Sequence, residues 1–234
     1  ALDVTSTTQG MLVPRMTTVE RTAIAVPAKG LLVFDNTTST FWYHDGIVWV
    51  EGGATGATGT AGAHYVGELY GDGIVFYVYN NGANGLIASL DDLDGGSGVA
   101  WSGNTSGLIG STAQSYYDGA SNTTAMVTQD ATANKAGTLC DSYSNGGSSD
   151  WYLPAYWELN LLYNSAYLIN TILENDGNGL TNGLDAENAA PTWGRYWSST
   201  EYNLNRAYHF DFGNGYANYY YKDNTYLVRA VRAF

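Results

Sequence analysis

The sequence from Tyr196 to Phe234 reads YWSSTEYNLNRAYHFDFGNGYANYYYKDNTYLVRAVRAF. Its two ends, residues 196–201 and 228–234, have the composition of packed strands. Between them, tyrosine and asparagine dominate. Tyrosine supplies a large, rigid contact area and asparagine supplies adaptable hydrogen bonds, which is the composition of antibody paratopes. The stretch therefore predicts a binding face held between two scaffold strands.

The residues predicted to contact a ligand are the polar and aromatic side chains of this middle part. They are Tyr202, Asn203, Asn205, Arg206, Tyr208, His209, Asp211, Asn214, Tyr216, Asn218, Tyr219, Tyr220, Tyr221, Asp223, Asn224 and Tyr226. The alternative is that the tyrosines form the core of half-buried strands, and Phe210 and Phe212 do fit the inward face of a strand. The run from Tyr219 to Tyr221 does not fit, because consecutive residues of a strand point to both faces.

Length and composition limit the possible folds. At 234 residues the chain has room for one sizeable domain and a small one. Only 13% of the residues are charged and 29 are glycines, which favours short strands and loops over long helices. Cys140 is the single cysteine, so no intrachain disulfide forms, and its place on a helical apolar stripe predicts a buried side chain rather than a reactive thiol.

The charge balance limits the classes of partner. The net charge is −13 with only nine lysines and arginines, which argues against nucleic acid and against anionic membrane surfaces. No apolar run has the length of a membrane span, and the start of the sequence lacks a signal peptide pattern, so we expect a soluble chain without membrane insertion. Polar, uncharged targets remain, namely glycans and other proteins.

Residues 1–52 are predicted to form a small β-rich unit. Three apolar runs between residues 30 and 50 are separated by turn residues, including the hairpin signal Asp45-Gly46. A unit of this size has a small core and is marginal by itself. We therefore expect oligomerisation to cover its apolar surface.

Residues 53–63 are predicted to be a linker, and residues 64–234 a second domain. The linker has glycine at every third position, as a collagen triple helix does, but it lacks proline, so a flexible tether is the preferred alternative. In the second domain, strands are predicted between residues 65 and 89, and helices from about Ala131 and after Pro154. This order is typical of an α+β fold.

The first unit resembles the short shaft or junction units of phage tail fibres and related bacterial surface proteins. The likeness rests on the segments Lys29-Gly30-Leu31-Leu32-Val33-Phe34-Asp35 and Trp42-Tyr43-His44-Asp45-Gly46. Such units assemble as trimers, so the resemblance implies a homotrimer that is located in a virion or at a cell surface.

The second domain resembles the C-terminal domain of bacterial collagen-like adhesins. The motifs that carry the likeness are, in order, residues 70–78, 85–88, 139–140, 149–154 with 158–163, 196–201 and 228–232. The resemblance covers nearly all of residues 64–234 and implies a C-type lectin-like fold. The fold class expected for the whole chain is therefore α+β, a C-type lectin-like domain preceded by a small β-rich oligomerisation unit.

A narrower resemblance concerns the last forty residues, which are similar to the variable region of target proteins of diversity-generating retroelements. Such systems rewrite template adenines, so an asparagine codon can become Tyr, His, Asp, Ser, Gly, Leu or Arg, but never Lys, Trp, Met, Gln or Glu. The predicted contact residues all belong to the reachable set. Trp197, Glu201 and Lys222 do not, so the resemblance implies that these three are fixed scaffold.

Catalytic and metal motifs are missing from the sequence. The three histidines are far apart, and Gly71-Asp72-Gly73 lacks the rest of a dinucleotide-binding motif. Asp91, Asp92 and Asp94 could collect a calcium ion, although a solvated acidic turn is the simpler interpretation. We therefore expect no enzyme activity and no cofactor.

The functional prediction is a receptor-binding protein with a hypervariable Tyr/Asn face. The favoured carrier is a phage tail-fibre tip that binds a bacterial surface receptor, either protein or glycan, as a homotrimer. The alternatives are a bacterial cell-surface adhesin and a structural fibre module whose tyrosines only pack against neighbouring subunits.

Overall fold

The chain divides into two units, Ala1–Thr58 and Gly59–Phe234. The computed structural model describes residues 13–52, 63–177, 183–184 and 194–234. The predicted linker, residues 53–63, lies outside the described residues except for Ala63.

The first unit contains a four-stranded sheet and one short helix. Its elements are β1 (Arg15–Met16), α1 (Thr18–Thr22), β2 (Leu32–Asp35), β3 (Thr40–His44) and β4 (Trp49–Gly52). The strands lie in the order β1-β2-β3-β4, with β1 parallel to β2 and the other pairs antiparallel. The Asp45 carboxylate accepts hydrogen bonds from the amides of Ile47 and Val48, which closes the predicted hairpin.

In its described residues, the second unit combines two sheets with three α-helices. Its strands are β5 (Leu69–Tyr70), β6 (Gly73–Tyr79), β7 (Asn84–Ala88), β8 (Arg195–Asn203), β9 (Arg206–Asp211), β10 (Tyr216–Tyr221) and β11 (Val231–Ala233), and its helices are α2 (Gly119–Gln129), α3 (Ala136–Ser142) and α4 (Tyr156–Leu173). One sheet has the order β11-β7-β6-β5 and the other β10-β9-β8. The α+β class is confirmed. Of the strands predicted between residues 65 and 89, the second and third correspond to β6 and β7, whereas the first is reduced to Leu69–Tyr70.

Two apolar clusters fill the second unit. One packs α4 against the sheets, and the other surrounds Trp101 and Cys140 between α2, α3 and β8. The clusters bury large apolar side chains from the motif segments and the last strands, namely Trp151, Trp197, Phe210, Phe212, Val228 and Val231. Cys140 is buried as predicted, and burial raises the pKa of its thiol well above the ordinary value.

Helix α2 was not predicted, because its sequence GASNTTAMVTQ is rich in residues that favour caps and turns. Tertiary contacts hold it instead. Asn122 is buried and donates to the Ser115 carbonyl at 2.8 Å, and the Thr123 hydroxyl accepts from the Leu153 amide at 3.0 Å. Asp118 caps the first turn by accepting from the Ser121 amide.

Gly119 is the point where α2 passes closest to the start of α4. A Cβ at this position would lie against the Glu158 carboxylate and 2.7 Å from backbone atoms of Leu153 and Ala155. We expect Gly119→Ala to lower the free energy of unfolding by roughly 1–3 kcal/mol through crowding, although alanine favours helices. Thr124→Ala is the matched control, because Thr124 is exposed on the same helix.

Urea unfolding of the two variants distinguishes crowding at Gly119 from the general effect of placing an alanine in α2. Thr124→Ala should change stability by less than about 0.5 kcal/mol. If Gly119→Ala is as stable as the Thr124→Ala control, the close approach does not constrain the fold.

Candidate binding face

The three strands β8, β9 and β10 carry most of the predicted contact residues. Strand β10 is the edge of this sheet and pairs with β9 so that Tyr219 faces Tyr208 and Tyr221 faces Arg206. Neighbouring residues of β10 point to opposite sides, and Tyr219 is half-buried whereas Tyr220 and Tyr221 are exposed. The alternative that all these tyrosines are core is wrong, because both sides of β10 reach solvent.

An interlocked group of rings covers one side of the sheet. The rings of Tyr202 and Tyr219 stack with centroids 3.7 Å apart and an interplanar angle of 8°. Tyr208 meets both of them edge-on, at 5.5 and 5.8 Å. The Arg206 guanidinium lies 4.7 Å from the centroid of the Tyr221 ring and donates to its hydroxyl at 3.0 Å. These contacts hold the side chains in place before any ligand arrives.

Four further aromatic residues adjoin this group, and the sequence reasoning missed them. The Tyr116 hydroxyl lies 2.8 Å from that of Tyr208, and the Tyr156 ring packs 5.2 Å from Tyr208. Tyr117 and Trp157 continue the surface, are exposed, and have rings that are parallel within 1°. A signal was available, since Tyr116-Tyr117 and Tyr156-Trp157 are adjacent aromatic pairs like those in β10.

The remaining predicted residues divide into a surface set and a half-buried set. Tyr216, Asn218 and Tyr220 are exposed on the other side of β10, and Asn214 and Asp223 are exposed in the turns next to it. The half-buried positions are Asn203 at the end of β8, and Asn205 and Asn224 in the adjoining turns. The hairpin therefore presents contact residues on both sides and at both ends.

Three predicted contact residues, His209, Asp211 and Tyr226, are corrected to supports beneath the face, because all three are buried. His209 lies between Trp197 and Tyr226, with ring centroids 6.2 and 4.8 Å away. The Asp211 carboxylate accepts from Arg195 at 3.2 Å. The alternation of β9 turns His209 and Asp211 to the side opposite Tyr208, where other parts of the chain cover them.

A buried ion pair fixes the base of the hairpin. The Lys222 ammonium donates to the Glu201 carboxylate at 2.6 Å, and both side chains are fully buried. Lys222 also donates to the carbonyls of Gly107 and Leu204. The second oxygen atom of Glu201 accepts from the amides of Ile109 and Gly110 and from Gln114. Together with Trp197, which is also buried, these are the residues that the resemblance identifies as fixed scaffold.

Lys222→Met should lower the free energy of unfolding by about 3–5 kcal/mol, because it leaves the Glu201 carboxylate buried without a counter-charge. The control Asn218→Ala changes an exposed residue of β10 and should cost less than about 0.5 kcal/mol. Urea unfolding measures both. Equal stability of the two variants would show that the pair does not hold the face.

His209 makes stability depend on pH. Burial, with a smaller contribution from the Arg195 charge, lowers the pKa of His209 to about 3. Above about pH 6.5 the imidazole is neutral in both the folded and the unfolded chain. Between about pH 6.5 and pH 3 only the unfolded chain binds the proton, so the free energy of unfolding falls as the pH falls. Between pH 7 and pH 5 His209 should remove about 2 kcal/mol from the free energy of unfolding.

The His209→Gln variant isolates this effect, because other titrating groups are shared with the unchanged chain. Urea unfolding at pH 7 and pH 5 should show a loss that is about 2 kcal/mol smaller in the variant. Equal losses in the two chains would mean that His209 is protonated in the folded state.

The acidic turn does not resemble a calcium site. Asp92 pairs with Arg229 at 2.8 Å and accepts from the Tyr196 hydroxyl at 3.0 Å, while Asp94 accepts from the Val228 amide at 3.1 Å. Within the described ranges, no group of three or more His, Cys, Asp or Glu side chains is placed to hold a metal ion. In the same ranges, no helix combines the length and apolar character needed to cross a membrane.

Two family models match the chain. Residues 93–232 match the Lcl C-terminal domain, and residues 1–62 match the phage tail like trimerisation region. The chain belongs to the Lcl C-terminal domain family. No curated protein matches it.

Membership of the Lcl C-terminal domain family confirms the resemblance to C-type lectin-like variable proteins of diversity-generating retroelements, and the second match confirms the tail-fibre-like unit that precedes the Lcl domain. The match to residues 1–62 supports self-association as a trimer. The Lcl match includes all of β8, β9 and β10, so the candidate binding face lies inside the family domain.

Proposed function

We propose that this protein is a trimeric receptor-binding module with a C-type lectin-like domain, which displays its tyrosine- and asparagine-rich face to a receptor on a bacterial surface. The carrier is a phage tail fibre, and the protein or glycan that it binds lies on the host cell. The observation that carries the proposal is the exposed, interlocked set of tyrosines on β8, β9 and β10, held over a buried framework.

Placement of the residues supports a variable surface on a fixed scaffold. Trp197, Glu201 and Lys222, which adenine rewriting cannot create, have exposures of 0, 2 and 0%. Reachable residues such as Tyr216 and Tyr220 are exposed, where substitutions change stability by less than about 0.5 kcal/mol. Sequence variation at the face is therefore separated from the residues that determine folding.

The ring contacts explain how a surface of uncharged side chains binds tightly. Ordering a flexible side chain at an interface costs about 0.5–1.5 kcal/mol, and the stack of Tyr202 on Tyr219 already restricts both rings. Buried aromatic anchors carry much of the binding energy in protein interfaces. Three linked copies add avidity when receptors are dense on a cell.

We propose binding without catalysis. Two side chains that often serve as catalytic groups are withdrawn here: His209 is buried with its pKa lowered to about 3, and Cys140 is buried with its thiol pKa raised. The surface groups are phenols, amides and the Arg206 guanidinium, which recognise ligands by contact and hydrogen bonding.

A bacterial cell-surface adhesin is the second candidate, because the motifs of the second domain resemble those of bacterial collagen-like adhesins. The same face would serve either carrier. The trimerisation match favours the phage, since its description refers to phage tails.

Adhesion of the labelled, full-length trimer to intact cells from a panel of bacterial strains tests the proposal. The face variant changes Tyr202, Tyr219, Tyr220 and Tyr221 to serine. The matched control changes four tyrosines that lie outside the face, Tyr65, Tyr77, Tyr79 and Tyr167, to serine. We expect the control to bind like the unchanged protein and the face variant to lose adhesion at least about tenfold. Equal adhesion of the two variants, or none by the unchanged protein to any strain, would contradict the proposal.

The single change Tyr219→Ala gives a finer test on the strain that binds best. Loss of the stack with Tyr202 should cost about 0.5–1.5 kcal/mol of stability, so the protein stays folded. Binding should weaken at least about tenfold, which corresponds to about 1.4 kcal/mol. Tyr167→Ala is the control, because Tyr167 is 88% exposed on α4. Loss of the cooperative unfolding transition in Tyr219→Ala would instead show that Tyr219 is part of the core.

A further inference from the structure

One face of the sheet in the first unit is apolar and open to solvent. The register places Leu32 opposite Tyr43, Phe34 opposite Phe41, and Tyr43 opposite Val50, so these five side chains share one side of the sheet, here called the apolar sheet face. Leu32, Phe41 and Tyr43 are 36, 46 and 40% exposed. An antiparallel sheet with one solvated face normally has polar residues there, whereas the paired positions of β2, β3 and β4 on this face are apolar or aromatic.

The opposite side of the same sheet is already covered. Arg21 of α1 pairs with the buried Asp35 at 2.9 Å, and its guanidinium lies 3.7 Å from the centroid of a Trp42 ring. Val33 and His44 are buried on this side. Helix α1 therefore completes the small core of the unit, and it leaves the apolar sheet face without a cover of its own among the described residues.

Acidic side chains point away from the apolar sheet face. In strands β2 to β4 the acidic residues Asp35 and Glu51 point to the covered side, because they alternate with Phe34 and Val50. Arg15 is the charged neighbour, at the edge, with its guanidinium 5.3 Å from the Phe34 ring centroid. Residues 1–58 contain three basic and five acidic residues, a net charge of −2 out of the chain's −13. Copies of this unit therefore meet little electrostatic repulsion.

We propose that the apolar sheet face is the contact surface between copies of this chain, turned toward the threefold axis of the trimer. Three facts indicate that another copy of the chain covers this face. Residues 1–62 match a trimerisation region, and the unit is too small for a self-sufficient core. Its open face also has the apolar, aromatic composition of an oligomer interface. In a threefold assembly the Phe41 and Tyr43 rings of three chains pack together and leave solvent. The inference rests on the trimer in the proposed function.

Sedimentation of the full-length chain tests this assignment. Tyr43→Asp places a charge on the apolar sheet face and should convert a three-chain mass to a one-chain mass. Val26→Asp is the matched control, because Val26 is 90% exposed in the same unit but lies outside the strands, and it should leave the three-chain mass unchanged. The thermal unfolding of the second unit should be the same in both variants.

Cross-linking provides a readout that does not depend on weakening the unit. The only cysteine, Cys140, is buried, so Tyr43→Cys introduces the one accessible thiol. A short bis-maleimide should join Tyr43→Cys chains into covalent dimers, because near a threefold axis each thiol reaches a copy of itself. Val26→Cys chains should stay single under the same conditions.

The outcomes are distinct. A Tyr43→Asp chain that remains trimeric, a Val26→Asp chain that also dissociates, or Tyr43→Cys chains that do not cross-link would each overturn the assignment of the apolar sheet face. If any of these results is obtained while the unchanged protein is trimeric and adheres to bacteria, the proposed function stands and the trimer uses a different interface. If the unchanged protein sediments as a monomer, both the proposed interface and the trimer are wrong. Adhesion of that monomer to bacteria would still support the candidate binding face.

Discussion

The buried pair of Glu201 and Lys222 is the contact on which the candidate binding face depends. It joins the end of β8 to the residue that follows β10, so the hairpin between them is held at its base. Burial lowers the pKa of Lys222, and the hydrogen bond and charge of Glu201 oppose that shift. Removing two charges from water is costly, and the backbone groups of Gly107, Ile109 and Gly110 compensate by completing the hydrogen bonds of both side chains.

This arrangement explains why the outer surface can vary. The contacts that fix the hairpin use two buried side chains and backbone groups, and backbone groups do not change when surface residues do. Tyr202, Tyr219 and Tyr221 contribute contacts to one another and to Arg206 above this base. Exchanging them alters the chemistry of the surface and leaves the base intact.

The few basic residues of the chain are largely used inside it. Arg21, Arg195, Lys222, Arg229 and Arg232 are each paired with a carboxylate. Little positive charge is left for a surface with a net charge of −13, which strengthens the case against nucleic acid that the composition makes. The candidate binding face consists instead mainly of phenols and amides.

The sequence by itself determined the α+β class, the strands and their turns, and the buried scaffold, because alternation, turn residues and large apolar side chains act locally. It also indicated that Tyr219, Tyr220 and Tyr221 could not all belong to the core. Only the tertiary structure decided that α2 is a helix, that His209 and Tyr226 lie beneath the face, and that Tyr116 and Trp157 extend it. The physical reason is that a strand pattern separates two sides, whereas which side is covered depends on partners that are distant in sequence, such as Leu153 for α2 and Val99 for Tyr226.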